Sequence, residues 1–230
     1  MTSLDPGAVR ILTPVVHGDA VLTDALQHAV RRDLARLIEV LAAPVTAVRR
    51  AALVEHTQFL LDQLQEHHHV LDEVSWPGVL AIRPDLTDVA NRVALAHAEL
   101  IEPLRHTRES ALGWRGDPLR RLEVLSVLRD LSAALSPVLD QDAELAALID
   151  EAASAEPAGS PAARWAWVGA PTRLARRTFW LLDDLDPRQA DLLTERTPRS
   201  VMWILRNGFS GAYNRSAYLM WVGGGTGPAV

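Results

Sequence analysis

Apolar residues recur every three to four positions over four long stretches separated by short turns. Strand-like alternation is scarce, so the pattern confines the chain to a helical fold. The run VLTDALQHAVRRDLARLIEVLA at 21–42 predicts a first helix that ends before Pro44. A second extends from about Thr46 to Ser75, where Trp76-Pro77 bends or breaks it, with a short turn continuing to Ile82. A third covers about 86–112 and is closed by Gly113, Gly116 and Pro118. A fourth covers about 118–153, with Pro137 where it can kink the helix. Amphipathic helices of this length joined by short turns predict an all-α, up-down four-helix bundle over residues 1–154.

AEPAGSPAA at 155–163 is the one linker-like stretch. Residues 164–222 then predict a C-terminal helical extension, with pieces at about 171–184, 187–196 and 199–221. Five of the seven tryptophans lie in this last third: Trp165, Trp167, Trp180, Trp203 and Trp221. Aromatics at that density need a surface to bury against, so the extension is expected to pack on the bundle. The final GGGTGPAV is expected to fray.

Composition removes several chemistries. There is no cysteine, which excludes thiolate metal sites, thiol catalysis and disulfides. All 23 basic residues are arginine, so Schiff-base chemistry and a lysine general base are excluded as well. A net charge of −6 without a basic stripe argues against a nucleic-acid partner. No apolar run approaches the roughly 20 residues of a membrane span, and the first residues lack a signal-peptide pattern; a cytoplasmic location with no membrane partner is the expectation. GFSGAY at 208–213 lacks the spacing of a nucleophile elbow. Nothing in the pattern specifies an oligomeric state.

The segment LQEHHHVLDEVSWP at 64–77 concentrates histidine and carboxylate in an otherwise apolar region. Placing residues at about 100° per position sorts these candidates. In the first helix Val30, Leu34, Leu37, Ile38 and Leu41 define the inward face; Gln27 lies on it and His28 on its flank. In the second the stripe is Leu53, His56, Leu60, His67, Leu71 and Val74, which puts His67 inside, His68 at the boundary and His69 outside, with Asp72 and Glu73 off the centre line. His56 lies about 16 Å along the helix from His67 and is expected to be a satisfied core histidine. His97 falls among Val93, Ala94, Leu100, Ile101 and Leu104. Asp142 shares a face with Leu135, Val138 and Leu145, and a carboxylate on a core stripe needs a partner or a function.

The order RRDLARL, HTQFLLDQLQEHHHVLDEVSWP, LAHAELIEPL, a fourth helix and a Trp- and Tyr-rich tail resembles the hemerythrin-like, HHE cation-binding proteins of actinobacteria. The likeness runs over nearly the whole chain, and its most specific part is the HHH…DE..WP corner. It implies a non-haem di-iron centre inside the bundle. The ligands would be a His from the first helix, a His and a Glu one turn apart from the second, a His from the third and a His-x-x-x-Glu from the fourth. Residues four apart on a helix can face one metal, and a carboxylate can bridge two irons. Carried over residue by residue, the resemblance puts these positions at Gln27, His67, Leu71, His97, Val138 and Asp142. Two keep their donor, one changes from Glu to Asp, and Gln27, Leu71 and Val138 lose it.

The leading expectation is therefore that the di-iron centre is gone and that no cofactor takes its place. A small organic ligand would occupy the vacated cavity, lined by Gln27, Leu71 and Val138. His67, His97 and Asp142 would be available there for cofactor-independent acid/base catalysis such as isomerisation, cyclisation or elimination. Two alternatives stand beside it. One is a mononuclear non-haem iron held by His67, His97 and Asp142. The other is a non-catalytic scaffold whose polar residues satisfy one another.

Overall fold

The computed structural model describes residues 20–154, 171–195 and 199–222. The leader before residue 20, the 155–163 linker, Trp165, Trp167 and the final GGGTGPAV lie outside them. Among the described residues every regular element is helical, and no strand occurs. The long elements are α1 (Ala20–Leu41), α2 (Ala47–Val70), α4 (Thr87–Gly113) and α5 (Pro118–Ser154), with a short α3 (Trp76–Ile82) before α4. The C-terminal part contains α6 (Pro171–Leu182), α7 (Pro187–Glu195), α8 (Arg199–Gly208) and α9 (Ser210–Ala217), ending in a π-helical turn at Tyr218–Val222.

Helix starts follow local chemistry. Thr46 caps α2 by accepting from the Arg49 amide at 3.3 Å. Asp117 accepts from the Leu119 amide at 2.8 Å just before Pro118, whose missing N–H costs nothing in the first turn. Asp186 does the same for the Arg188 amide at 2.9 Å, ahead of Pro187. Between α4 and α5 the chain turns through Gly116 at φ +106, where a Cβ would also strike the Arg50 guanidinium.

Side-chain partners give the directions of the helices. Gln27 on α1 meets Leu139 on α5, while Arg121 at the start of α5 meets the Leu41 carbonyl at the end of α1. Those two helices are antiparallel. Arg108 on α4 bonds Gln58 and Asp62 on α2, and His68 further along α2 stacks on His97 earlier in α4, so this pair is antiparallel too.

One large apolar cluster draws on α1, α2, α4 and α5, and it includes Trp180 of α6 at 0% exposure and Met220. The described part of the C-terminal extension therefore shares a core with the long helices. A second cluster, Leu71, Trp76, Val79, Leu86, Val93 and Leu145, closes the end where α3 crosses α5. The faces read from the sequence hold on α1 and α5. On α4 they are partly wrong: Ile101 is 61% exposed and Ala94 is exposed, so the buried face centres on Val93, His97, Leu100 and Leu104.

The Trp76-Pro77 corner does not break α2. Residues Leu71–Ser75 form a π-helical turn instead, in which the Trp76 amide reaches back to the Leu71 carbonyl, and Pro77 falls in the first turn of α3. A π-turn accommodates an extra residue, which rotates the downstream side chains relative to a regular helix.

Candidate metal centre

Between the two apolar clusters lies a polar layer. Leu64, Leu100 and Leu139 belong to the large cluster, Leu71, Val93 and Leu145 to the small one, and the functional candidates occupy the turn between each pair. His67 and His68 come from the end of α2, Asp72 from the π-turn, His97 from α4 and Asp142 from α5. His97 and Asp142 are 4% and 0% exposed.

The contacts centre on His97. Its Nδ1 lies 2.9 and 3.0 Å from the two Asp72 carboxylate oxygens, and its Nε2 lies 3.1 Å from Asp142 Oδ1. The His68 ring stacks on it with centroids 4.1 Å apart and planes 12° from parallel. His67 Nε2 approaches Asp142 Oδ2 to 3.3 Å without the alignment of a hydrogen bond. Three buried polar atoms are thus left without a hydrogen-bond partner: His67 Nε2, His68 Nε2 and Asp142 Oδ2. An unpaired buried polar atom costs about 1–3 kcal/mol, so three in one layer call for an explanation.

Charges in the layer are set by burial and by neighbours. Burial alone would push the Asp142 carboxyl up, but His67 and His97 beside it outweigh this and hold it at about 2. Burial would likewise lower His97, yet its bonds to Asp142 and Asp72 raise it to about 9, so it is an imidazolium donating to both carboxylates near neutral pH. His68 has no such acceptor; burial, then the His97 charge, lowers it to about 3, leaving a neutral ring with a free lone pair.

One ligand atom each from His68, His97 and Asp142 lies within 4.8 Å of the other two. Two imidazoles and one carboxylate form a donor set that holds a transition metal and leaves coordination positions open. Asp72 completes the pattern. A ligating histidine usually gives its other N–H to a carboxylate, which fixes ring and tautomer, and the Asp72–His97 contact has that form.

The structure brings His67, His97 and Asp142 together and adds two residues that helical projection leaves off the centre line. His68 is buried, and Asp72, three-quarters buried, bonds His97. A single stripe on α2 is too narrow, because Thr57, Leu61, Leu64 and His68 form a second buried row at i, i+4, i+7 and i+11. Asp72 continues that row at i+4 from His68, which places it beside His97. Gln27, Leu71 and Val138 do not join the layer directly. Gln27 donates to the Leu139 carbonyl at 2.6 Å, Val138 packs in the large cluster and Leu71 in the small one.

A second buried polar group, of which the sequence pattern marks only His56, lies on α1. Asp33, 1% exposed, receives His56 Nε2 at 2.6 Å and the Trp180 indole N–H at 2.8 Å on Oδ2, and Arg32 Nε at 2.8 Å on Oδ1. Burial would raise this carboxyl, but His56 and Arg32 hold it at about 2. A signal for it exists in the sequence: Asp33 stands at i+3 from Val30 and i−4 from Leu37, on the apolar stripe itself.

No family model matches the chain, and neither a curated protein nor a solved structure matches it. No helix among the described residues is long and apolar enough to cross a membrane.

Proposed function

We propose that this chain is a hemerythrin-like, up-down four-helix bundle with a C-terminal helical extension, whose polar layer binds one transition-metal ion, with iron the first candidate. His68, Asp142 and His97, the last after giving up its Nε2 proton, are the ligands; His67 lies beside them, 3.3 Å from Asp142, and Asp72 orients His97. The observation that carries this reading is the buried group His68, His97 and Asp142, with one ligand atom of each within 4.8 Å of the other two and with His68 Nε2 and Asp142 Oδ2 lacking a hydrogen bond. A metal ion held there would give His68 and Asp142 a partner at once. The donor count favours one ion over two, because Leu71 and Val138 carry no donor atom in their side chains. Iron held this way supplies open coordination positions and a change of oxidation state. The residues themselves exclude water from the layer, fix the His97 ring and place a carboxylate charge opposite the incoming cation.

A second reading has its own support. The bonded line Asp72–His97–Asp142 can move a proton between a part-exposed carboxylate and a buried one, which is the equipment of cofactor-free acid/base chemistry on a small organic ligand. Metal analysis of protein purified after growth with iron, followed by reconstitution under chelator control, separates the two. About one ion per chain, lost in His68→Ala and Asp142→Asn, is the expected result. Failure to take up iron, zinc or manganese overturns the metal reading; turnover of an organic substrate that Asp142→Asn abolishes would then establish the second, and its absence would leave a scaffold.

A further inference from the structure

Away from the polar layer, α8 forms one wall of an open groove of about 470 Å³, lined by Thr194, Glu195, Arg199, Met202, Trp203 and Arg206, with Asn207 at its edge. α8 is fixed from beneath, since Met202 and Leu205 are buried in a small cluster with Ala175 of α6. The face beside it carries Arg199, Trp203 and Arg206 at i, i+4 and i+7, one line of a helix. Trp203 is 67% exposed, an unusual position for the residue with most to gain from burial. Both arginines are exposed, and neither has an ion-pair partner or an aromatic face beneath it among the described residues. The one acidic group in the groove is Glu195, so two guanidinium charges face one carboxylate. In a chain of net charge −6 this is a local reversal of sign.

We infer that this groove binds a small planar aromatic anion, its ring lying on Trp203 and its acidic group held by Arg199 and Arg206. Guanidinium forks pair with carboxylate or phosphate in two-point contacts, and an indole face accepts a flat ring. The volume falls within the range of small-molecule sites, and the concave shape favours such a ligand over a flat membrane surface. Asn207 donates its side-chain N–H to the Trp203 carbonyl at 2.8 Å, within the last turn of the helix that carries both arginines.

The test is calorimetric titration of the full chain with benzoate and with phenyl phosphate, which share the ring and differ in the acid, against benzyl alcohol and inorganic phosphate as controls. Saturable binding of at least one aryl anion is expected, with both controls weaker by about tenfold or more. Trp203→Ala and Arg206→Ala should each weaken it by about tenfold while circular dichroism stays unchanged, since both side chains are exposed. Arg206→Lys should recover part of the loss. Absence of saturable binding, binding that neither variant alters, or equal binding of benzyl alcohol overturns the proposal. So does attachment to anionic phosphatidylserine vesicles that Trp203→Ala removes without any aryl-anion binding. Because the groove shares no residue with the polar layer, none of these outcomes depends on metal.

Discussion

Asp33 and Asp142 are both almost fully buried, both sit against histidine, and both are held ionised at about 2, yet their surroundings differ. Around Asp33 both oxygens are engaged: Oδ1 by Arg32, Oδ2 by His56 and Trp180. Around Asp142 only Oδ1 is bonded, and Oδ2 faces an imidazole nitrogen that it does not properly engage. The first group ties α1, α2 and α6 together where the C-terminal extension joins the long helices. The second ties α4 and α5 less completely and leaves room in its bonding for something else. Burial and ionisation are therefore common to both groups, and the completeness of hydrogen bonding is what separates them.

The sharpest way to break this distinction is to remove each carboxylate in turn. Asp33→Ala should cost about 3–5 kcal/mol in a urea titration, because Arg32, His56 and the Trp180 N–H all lose their acceptor in the core. Asp142→Asn should cost clearly less, since His97 keeps Asp72. If the two losses are equal, or reversed, the contrast between fastener and binder fails. Next in size is metal itself. At a hundredfold excess over Kd an ion should stabilise the chain by about 3 kcal/mol, seen as a rise in Tm that His68→Ala removes and Asp33→Asn leaves in place.

Acid gives a somewhat smaller effect. A carboxyl lowered to about 2 in the folded chain contributes stability above its ordinary value of 3.8, and that contribution disappears as pH falls through 2. For Asp33 the difference amounts to about 2 kcal/mol. Urea midpoints at pH 5, 4, 3 and 2 should fall steeply in the parent and less so in Asp33→Asn; parallel curves would show that the steep acid limb comes from elsewhere. The smallest change is Trp180→Phe, which keeps the ring packed and removes one hydrogen bond to Asp33, for about 1–2 kcal/mol. A loss near that of Asp33→Ala would instead mean that packing of the indole dominates the junction.

Helical periodicity makes most of the helix positions legible from sequence, and it also puts Gln27, His97 and Asp142 on buried faces. It fails where one stripe does not cover the buried surface. On α2 the burial is broad, because α4 packs on one side and the C-terminal π-turn on another, so a single stripe excludes His68. Asp72 lies at i+4 from His68 on the second buried row of that helix, so a projection confined to the first stripe misses it as well. The Asp33 group escapes for a different reason. Its partners Trp180 and His56 lie far apart in sequence, and nothing local announces that they meet.

Asp142 has no exposure at all, and Asp72 keeps a quarter of its side chain in water, with only the His97 ring between them. A proton reaching Asp72 is therefore one imidazole ring away from Asp142, the least exposed acid among the described residues. Asp142 is thus shut off from the surface by its own lack of exposure, yet joined to it through one hydrogen-bonded ring.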